Sequence, residues 1–469
     1  MGKLFGTDGI RGRTGHYPMT VEVAMATGKA VAHFVGGGDR KQVVIGRDTR
    51  GSGSMLESAL AAGIASQGVD VCLAGVIPTP AVAFLAMNTP DAGAGIVISA
   101  SHNPYYDNGI KLFRGDGHKL SDEEEAMMEA RILALLSNNK GDNAQEDRSG
   151  EEIANPGHIQ PMSHVLERYA TFLRGIYTQG IKDTHAATSN DSPLGTIVVD
   201  CSNGAAFQVA QQVFAPPHFN ARFIHISPDG VNINKDCGSQ HTEDLSKEVI
   251  KHNACAGLAF DGDADRLIAL DETGAVVTGD KILAICAAHA ARKGHLTHNR
   301  VVSTVMSNIG LSRALKSLGI HHEITGVGDR QVMAAMEKSG AVLGGEDSGH
   351  MIFSNCLTTG DGLLTALKLL IVMVETGEAL SRLAEVMTVY PQVLKNVSVR
   401  PDKPDFMGID AIASSIEQAE KLLNGNGRVL VRYSGTQPLL RVMVEGEDSS
   451  CIHGVCDEIC RVIREYIGL

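Results

Sequence analysis

The sequence predicts an α/β protein in which three similar α/β sections are followed by a smaller α+β section at the C-terminal end. Short β-branched runs alternate with segments of helical period over most of the 469 residues. This alternation is typical of parallel or mixed sheets that are covered by helices on both faces. After Pro391 the predicted order changes to strand, helix, strand, strand, helix.

The first section alternates strands with helices and ends on a capped helix. Ser121 and Glu124 form the S-x-x-E pattern of a capping box, which predicts a helix from there to about Leu136. The polar residues 137–156 that follow predict a linker or surface insertion. The earlier predicted strands cover residues 43–45, 69–73 and 96–99, and the predicted helices cover residues 54–66 and 81–87.

The second and third sections repeat this alternation after a further polar stretch at 184–193. A helix is also expected at the C-terminus, around Cys456. The strands predicted in these sections cover residues 196–200, 222–226, 258–260 and 301–305. The helices predicted there cover residues 205–214, 245–253, 281–292 and 311–318.

Charge and motif content exclude several function classes. The formal net charge of −13 argues against nonspecific binding to nucleic acid or to an anionic membrane, and an anionic substrate would need a local basic pocket. The sequence lacks the G-x-x-x-x-G-K-[S/T] loop that binds nucleoside triphosphates. It also lacks a G-x-G-x-x-G motif after a strand, which binds dinucleotides. Kinase and dehydrogenase functions therefore lose support.

Cysteine usage and hydropathy predict a cytoplasmic protein. The nine cysteines are scattered without a C-x-x-C pair, and the spacing of Cys451, Cys456 and Cys460 does not match a zinc site. Reduced, buried thiols are the simpler interpretation, and they fit a reducing compartment. The first residues show no signal-peptide pattern, and the most apolar run, 363–374, is too short to span a bilayer.

The strongest local signal is an acidic loop with the sequence D-G-D-A-D-R. Asp261, Asp263 and Asp265 follow an apolar run, and carboxylates at alternate positions can converge on a hard cation such as Mg²⁺ or Ca²⁺. An EF-hand is one alternative, but its sixth position needs glycine and Arg266 stands there. A solvated acidic turn without a ligand is the other alternative.

A second signal is a loop of small and polar residues that follows a predicted strand. Ser101 lies next to His102 in this loop, so the serine hydroxyl is a candidate nucleophile. Serine and asparagine are also the residues that ordinary turns require. The residues alone leave both interpretations open.

Two further loops have the chemistry to bind a sugar phosphate, although ordinary tight turns would explain each equally well. In residues 344–350, a carboxylate and a hydroxyl stand between glycines, and such groups pair with sugar hydroxyls. In residues 432–438, a guanidinium, hydroxyls and backbone N–H groups can hold a phosphate. The candidate ligands are Glu346, Ser348 and His350 in the first loop, and Arg432, Ser434, Gly435, Thr436 and the more distant Arg441 for the second.

Taken together, the four loops resemble the α-D-phosphohexomutase family. That family has a serine loop, a D-G-D-x-D-R loop, a G-E-x-S-G loop and an R-x-S-G-T loop in this order, and the chain has all four near 101, 261, 346 and 432. The opening residues 3–12 and the segment 232–238 are similar to a bacterial subgroup that acts on glucosamine phosphates. The resemblance covers nearly the whole chain.

The resemblance implies four domains around a central cleft, each of which contributes one loop. We place them at residues 1–160 with the catalytic serine loop, 161–266 with the metal-binding loop, 267–388 with the sugar-binding loop, and 389–469 with the phosphate-binding loop. It also implies a cytoplasmic enzyme that does not bind nucleic acid or membranes and that forms a homodimer.

The resemblance further implies roles for individual residues. Ser101 is expected to carry a phosphoryl group and, with the three aspartates, to hold one Mg²⁺. Lys111 is expected to act in acid–base chemistry, with Arg11 and His102 near the nucleophile. Glu346, Ser348 and His350 are expected to bind the sugar, and Arg432, Ser434, Gly435, Thr436 and Arg441 its phosphate.

The implied reaction interconverts glucosamine 6-phosphate and glucosamine 1-phosphate through a 1,6-bisphosphate, which also serves as activator, and supplies UDP-N-acetylglucosamine synthesis. The alternative is the same chemistry on mannose or glucose phosphates. Three positions depart from the usual family pattern: Asp347 stands in place of Gln, Tyr433 in place of Pro, and Gln437 in place of Glu. These departures bear on substrate preference and leave the phosphoryl chemistry unchanged.

Overall fold

The computed structural model describes residues 4–6, 8–36, 42–138, 155–184, 194–434 and 438–469. Most of the predicted polar stretches 137–156 and 184–193 lie outside these residues, as do Gly435, Thr436 and Gln437. Contacts divide the chain into two compact units, one formed by Met1–Met306 with Ile320–Val386 and the other by Ser307–Gly319 with Met387–Leu469. No helix in the described ranges is both long and apolar enough to cross a bilayer.

The first sheet is mixed and has six strands in the order β1-β5-β4-β2-β3-β6. Strands β2, β3, β4 and β6 run parallel, whereas β5 is antiparallel to both of its neighbours. The strands are β1 (Ile10–Arg13), β2 (Gln42–Arg47), β3 (Asp70–Val76), β4 (Ala92–Ile98), β5 (Asp107–Arg114) and β6 (Ile159–Pro161).

Five helices belong to this part of the chain, and the first four pack with this sheet, whereas the fifth packs mainly against other helices. The predicted capping box is confirmed, because the Ser121 N–H donates to Glu124 Oε2 at 2.8 Å and the Glu124 N–H donates to Ser121 Oγ at 3.2 Å. The helices are α1 (Val21–Gly36), α2 (Gly53–Ala65), α3 (Thr79–Asn88), α4 (Asp122–Asn138) and α5 (Val165–Gly180).

The second sheet has five strands in the order β11-β10-β9-β7-β8, of which β7, β8 and β9 are parallel. The predicted domain boundary at Arg266 falls between two strands of this sheet, because the chain returns at once as β10 and pairs antiparallel with β9. The elements are β7 (Thr196–Asp200), α6 (Val209–Val213), β8 (Asn220–Ile224), α7 (Glu243–Lys251), β9 (Ala256–Phe260), β10 (Leu267–Asp271) and β11 (Val276–Val277).

One predicted element of the second section is shorter in the structure, and another is shifted by two residues. The helix predicted over 205–214 reduces to α6, because the Ala205 N–H is engaged by the Gly262 carbonyl and residues 205–208 form turns. The strand predicted over 222–226 ends at Ile224, because His225 has a left-handed backbone with φ of 50°. The first change comes from a contact with the acidic segment.

The third sheet has four strands in the order β13-β12-β14-β15, and only β15 is antiparallel to its neighbour. Buried Val302, Val332, Met336 and Ile352 pack together on this sheet. The elements are α8 (Gly279–Arg292), β12 (Arg300–Thr304), β13 (His321–Thr325), α10 (Asp329–Ser339), β14 (Leu343–Gly345), β15 (Met351–Phe353), α11 (Gly362–Thr376) and α12 (Leu380–Leu383).

The second unit is a three-stranded antiparallel sheet in the order β16-β18-β17 with helices packed on it. Its core includes Val442, Ile459 and Ile463. Its elements are α9 (Ile309–Ser317), β16 (Gln392–Ser398), α13 (Asp410–Leu423), β17 (Gly427–Tyr433), β18 (Leu439–Gly446) and α14 (Ser449–Ile467). The predicted fold class, three α/β sheets and a smaller α+β section, is confirmed.

Candidate active site

Three of the predicted functional loops occupy equivalent positions in the three sheets. Each connects the C-terminal end of a parallel strand to an antiparallel return strand. Ligands of open α/β sheets bind beyond these carboxyl ends. The serine loop joins β4 to β5, the acidic loop joins β9 to β10, and the loop at 346–350 joins β14 to β15.

The serine loop and the acidic loop meet in the interior of the first unit. The Ser101 hydroxyl donates a hydrogen bond to Asp261 Oδ2 at 2.5 Å, and Ser101 is fully buried. Its backbone is left-handed with φ of 52°, a conformation that costs free energy in a non-glycine residue. A Cβ atom at Gly262 would lie 2.6 Å from the Ser101 carbonyl oxygen, so this close approach requires glycine.

Arg50 holds the serine loop in this conformation. Its buried guanidinium donates to the carbonyl oxygens of Ser101 and Asn103 at 2.9 and 2.8 Å and to those of Pro104 and Asp107. Asp48 Oδ2 accepts from Arg50 Nε at 2.9 Å and from the Ser99 hydroxyl. Four loop carbonyls thus converge on a single side chain.

The three aspartates of the acidic loop form one buried cluster. One oxygen from each of Asp261, Asp263 and Asp265 lies within 4.8 Å of the others. Burial and the charges of Asp265 and Asp263 raise the pKa of Asp261 well above its usual range. Among the described residues, Asp263 Oδ1 and Asp265 Oδ1 have no hydrogen-bond partner. Buried carboxylate oxygens of this kind fit a divalent cation.

These observations remove two of the alternatives left by the sequence. The acidic loop is followed by β10 rather than by a helix, which excludes an EF-hand. Asp261, Asp263 and Asp265 are at most 3% exposed, which excludes a solvated turn.

Lys111 is the buried cation of the cluster. It projects from β5, and its Nζ lies 2.8 Å from Asp263 Oδ2, 3.2 Å from Asp265 Oδ2 and 3.1 Å from Asp8 Oδ2. Burial alone would lower the pKa of Lys111, but Asp263 and the other two carboxylates raise it well above its usual range. The side chain is therefore an ammonium that offsets part of the carboxylate charge.

His102 faces Ser101 but is held by a guanidinium. Its Nδ1 lies 3.3 Å from Ser101 Oγ and 3.2 Å from Arg266 Nη1. Burial and the charge of Arg266 lower the pKa of His102 to about 4, so the imidazole is neutral near pH 7. The Ser101 hydroxyl hydrogen bonds to Asp261 at the shorter distance.

Arg11 belongs to a charge network that shares the Asp8 carboxylate with Lys111. Its Nη2 pairs with Asp8 Oδ2 at 2.5 Å. Asp8 also pairs with Lys119 at 2.5 Å, and Lys119 reaches Asp329 at the start of α10. The network joins the first sheet to the third.

His350 ends the predicted sugar loop and is buried between two carboxylates. Its Nδ1 lies 3.7 Å from Asp265 Oδ1, and its Nε2 lies 3.6 Å from Asp329 Oδ2. Burial lowers the pKa of His350, but Asp265 and Asp329 outweigh this effect and raise it. Glu346 is half-buried with Oε1 3.2 Å from the Gly328 N–H, and Ser348 is exposed.

The fourth predicted loop lies in the second unit, between β17 and β18. Arg432 and Arg441 are cross-strand partners, and burial and the charge of Arg441 lower the pKa of Arg432. Arg441 Nε is buried without a hydrogen-bond partner among the described residues. Ser434 is buried, and Lys403 Nζ donates to its carbonyl at 2.7 Å. Guanidinium groups on neighbouring strands have the chemistry to pair with an anion such as a phosphate.

Several residues of the first unit support the site but were not predicted from the sequence. Arg50 and Asp48 fix the serine loop, and Asn234 donates to the Ser101 carbonyl at 2.9 Å. The Thr79 hydroxyl donates to Asp263 Oδ2 at 2.6 Å from the start of α3. No spacing in the sequence indicates these contacts, because each spans more than 50 residues or comes from an ordinary turn residue.

A buried serine hydroxyl beside three carboxylates and an ammonium suits phosphoryl transfer, because that chemistry depends on positioning and charge neutralisation. Family models of the phosphoglucomutase/phosphomannomutase type match four stretches of the chain: domain I at residues 2–139, domain II at 175–274, domain III at 278–390 and the C-terminal domain at 394–462. The chain belongs to the phosphoglucomutase/phosphomannomutase family, and it is a mutase.

Curated relatives match over the full length of the chain. The chain is 57% identical to the phosphoglucosamine mutase of Desulforapulum autotrophicum, over 99% of both chains. It is 46% identical to the phosphoglucosamine mutase of Syntrophobacter fumaroxidans, over 100% of both chains.

Solved structures share the fold at lower identity. A phosphoglucomutase/phosphomannomutase family protein from Burkholderia thailandensis matches with a TM-score of 0.77 at 22% identity, covering 100% of this chain and 99% of that one. The N-acetylphosphoglucosamine mutase of Aspergillus fumigatus, solved with GlcNAc-6P and magnesium, matches with a TM-score of 0.67 at 16% identity, covering 98% and 95%.

Proposed function

We propose that the chain interconverts glucosamine 6-phosphate and glucosamine 1-phosphate, with Ser101 as the residue that carries the phosphoryl group. The observation that supports the chemistry most directly is the 2.5 Å hydrogen bond from Ser101 Oγ to Asp261 within the acidic cluster. The full-length relatives named phosphoglucosamine mutase support the substrate.

We propose that Asp261, Asp263 and Asp265 hold one Mg²⁺ together with a phosphoryl oxygen on Ser101. A cation bound there would neutralise phosphoryl oxygens and make Ser101 a better leaving group. The chain itself supplies positioning: Arg50 fixes the loop carbonyls, and the left-handed backbone at Ser101 directs its hydroxyl toward the carboxylates. Phosphoryl transfer needs such positioning more than it needs covalent chemistry from the protein.

Lys111 is the proposed acid–base group. Its amine accepts the proton of the sugar hydroxyl that attacks the phosphoserine, and the resulting ammonium protonates the sugar oxygen that leaves when Ser101 takes the phosphate back. It is buried and lies 2.8 Å from Asp263, beside the proposed metal ligands. Arg11 and Asp8 position it. His102, which is neutral and bonded to Arg266, orients the serine loop.

The proposed sugar ligands are Glu346, Ser348 and His350. The phosphate that does not react has its own proposed ligands, which are Arg432, Ser434, Gly435, Thr436 and Arg441. The reaction requires one phosphate site to accept either end of the sugar, because the 1,6-bisphosphate must return its other phosphate to Ser101. The exposed carboxylate of Asp347 favours a cationic amino sugar, since opposite charges attract. From the resemblance to the family alone, we propose that the protein is cytoplasmic and forms a homodimer.

Turnover of glucosamine 6-phosphate, followed by ³¹P NMR with Mg²⁺ and a sugar 1,6-bisphosphate, tests the proposal. Ser101→Ala should lower kcat by at least about four orders of magnitude, whereas Ser58→Ala, at an exposed serine on α2, should keep full activity. Peptide mass should show phosphate on Ser101 after reaction. Turnover by Ser101→Ala would refute the mechanism, and faster turnover of mannose or glucose 6-phosphate would refute the substrate.

A further inference from the structure

A second cluster of metal-ligating side chains lies on the second sheet, apart from the acidic loop. Asp200 ends β7, His225 follows β8, and Cys237 precedes the short 3-10 helix at Gly238–Gln240. One ligand atom from each of the three lies within 4.8 Å of the others. No role in phosphoryl transfer requires them.

The atoms of this cluster converge without satisfying one another. His225 Nδ1 lies 3.0 Å from Asp200 Oδ2, yet it has no well-aligned hydrogen bond to any of the described residues. Asp200 and Cys237 are buried, whereas the His225 side chain is 25% exposed. The cluster is therefore polar on the inside and reachable from solvent on one side.

The backbone around the cluster holds the three side chains in place. The Ser202 N–H donates to Asp200 Oδ1 at 2.8 Å, and the Gly238 N–H donates to Asp200 Oδ2 at 2.9 Å. The His225 carbonyl accepts from the Asn203 N–H at 2.7 Å. Hydrogen bonds of this kind orient metal ligands in advance of binding.

We propose that Asp200, His225 and Cys237 bind one zinc-class divalent cation, with a water molecule at the open side. A sulfur, a nitrogen and an oxygen are the ligands that Zn²⁺ accepts in proteins, whereas Mg²⁺ prefers oxygen alone. The two cation sites of the chain would thus differ in ligand type. The spacing of the nine cysteines does not predict this site, because His225 lies 25 residues after Asp200 and Cys237 lies 12 residues after His225.

Binding at this site would stabilise a segment that supports the serine loop. Residues 226–237 run between the proposed ligands His225 and Cys237, and Asn234 within them donates to the carbonyls of Ser101 and Asn103. A cation would fix both ends of the segment to the sheet. We therefore assign the site a structural role.

Cobalt(II) titration of the full chain, with saturating Mg²⁺ present, tests the proposal. Only a thiolate ligand gives a sulfur-to-cobalt charge-transfer band, so the acidic loop cannot produce it. One equivalent of Co²⁺ should develop the band, Cys237→Ser should abolish it, and His225→Gln should weaken binding by roughly tenfold to a hundredfold. Cys286→Ser, at a buried cysteine on α8, should leave the band unchanged.

Two results would overturn the proposal: no thiolate band in the unmodified chain, or the same band in Cys237→Ser. If Cys237→Ser does not fold, the test rests on His225→Gln, because the His225 side chain is partly exposed and its replacement should leave the fold intact. Equal Zn²⁺ retention by His225→Gln and the unmodified chain after equilibrium dialysis would also overturn it. In the unmodified chain, Zn²⁺ should slow hydrogen exchange in residues 225–237, and failure of Ser101 chemistry would leave this result intact.

Discussion

The charge balance of the active site depends on the ammonium of Lys111. It is 1% exposed and contacts the carboxylates of Asp8, Asp263 and Asp265. Removing one member of a buried charge group leaves its partners uncompensated, and the cost commonly exceeds the net value of the intact pair.

Lys111→Met should destabilise the fold by roughly 3–5 kcal/mol without Mg²⁺ and by less when Mg²⁺ is present, because the cation takes over part of the neutralisation. Urea unfolding with and without Mg²⁺ measures this difference. Lys247→Met is the matched control, since Lys247 is exposed and pairs only with Asp244 among the described side chains; it should have no measurable effect. An equal loss at both Mg²⁺ levels would contradict the explanation.

Asp361 is a buried carboxyl group with an unusual titration. It caps the start of α11 by accepting from the Leu364 N–H at 3.0 Å, and the Tyr169 hydroxyl donates to it at 2.5 Å. Burial raises the pKa of Asp361 to about 6, against the lowering effect of these hydrogen bonds. The folded state therefore holds this proton to a higher pH than the unfolded state does.

Stability should accordingly fall as pH rises from about 4 to about 6, because the folded state binds more protons than the unfolded state in that window. For this group the loss is on the order of 2–3 kcal/mol. Urea unfolding of the unmodified chain and of Asp361→Asn separates the contribution of Asp361 from that of the other titratable groups. The difference in free energy of unfolding between the two should change across that window and be constant above it; a flat difference throughout would rule the explanation out.

At the scale of elements, the hairpin is the repeated functional unit. In each α/β sheet a parallel strand turns back through a loop of five to eight residues into an antiparallel neighbour, and that loop carries the candidate ligands. Gly349 shows how tightly one such loop is seated. Its φ is 90°, and a Cβ atom there would lie 2.1 Å from the Leu267 carbonyl oxygen.

Gly349→Ala should therefore displace the loop at 346–350 and lower kcat/KM by about tenfold or more. Gly294→Ala is the control, because Gly294 also has a positive φ, 69°, but no atom within 4 Å of the added Cβ. This control should cost about 1 kcal/mol of stability and leave kinetics unchanged. Unchanged kinetics in Gly349→Ala, as in the control, would contradict the claim that this close contact positions the loop.

At the scale of the whole molecule, the second unit is assembled from two separated parts of the chain. Glu445 on β18 is fully buried, and its Oε1 accepts from the Ile309 N–H at the start of α9 and from Arg428 Nε at 2.9 and 2.6 Å. This carboxylate joins α9 to the C-terminal sheet although Ile309 and Glu445 are 136 positions apart along the chain.

Glu445→Ala should leave the Arg428 charge and the first turn of α9 without their partner, at a cost of roughly 3–5 kcal/mol. Hydrogen exchange should accelerate in Ile309–Ser317 and Leu439–Gly446 while β4 and β5 stay protected. Glu417→Ala, at an exposed position on α13, should change neither. Uniform acceleration across all sheets would contradict a local role for Glu445.

The sequence by itself determined the elements and the order of the functional loops. Strand and helix periodicity, the Ser121 capping box and the loops near 101, 261 and 346 depend on neighbours along the chain. Such signals survive folding, because each is carried by a few adjacent residues. The return strand of each hairpin was harder to assign, because a strand that follows its partner at once gives no boundary signal. The boundary placed at Arg266, between the paired strands β9 and β10, is an example.

Only the tertiary structure decided which atoms meet. Ser101 and Asp261 are 160 residues apart, Arg50 reaches four carbonyls of a loop more than 50 residues away, and Asp200, His225 and Cys237 converge from three loops. These contacts arise because packed sheets bring the carboxyl ends of distant strands together. Periodicity along the chain reports which face of an element is buried, but it holds no information on which partner that face will find.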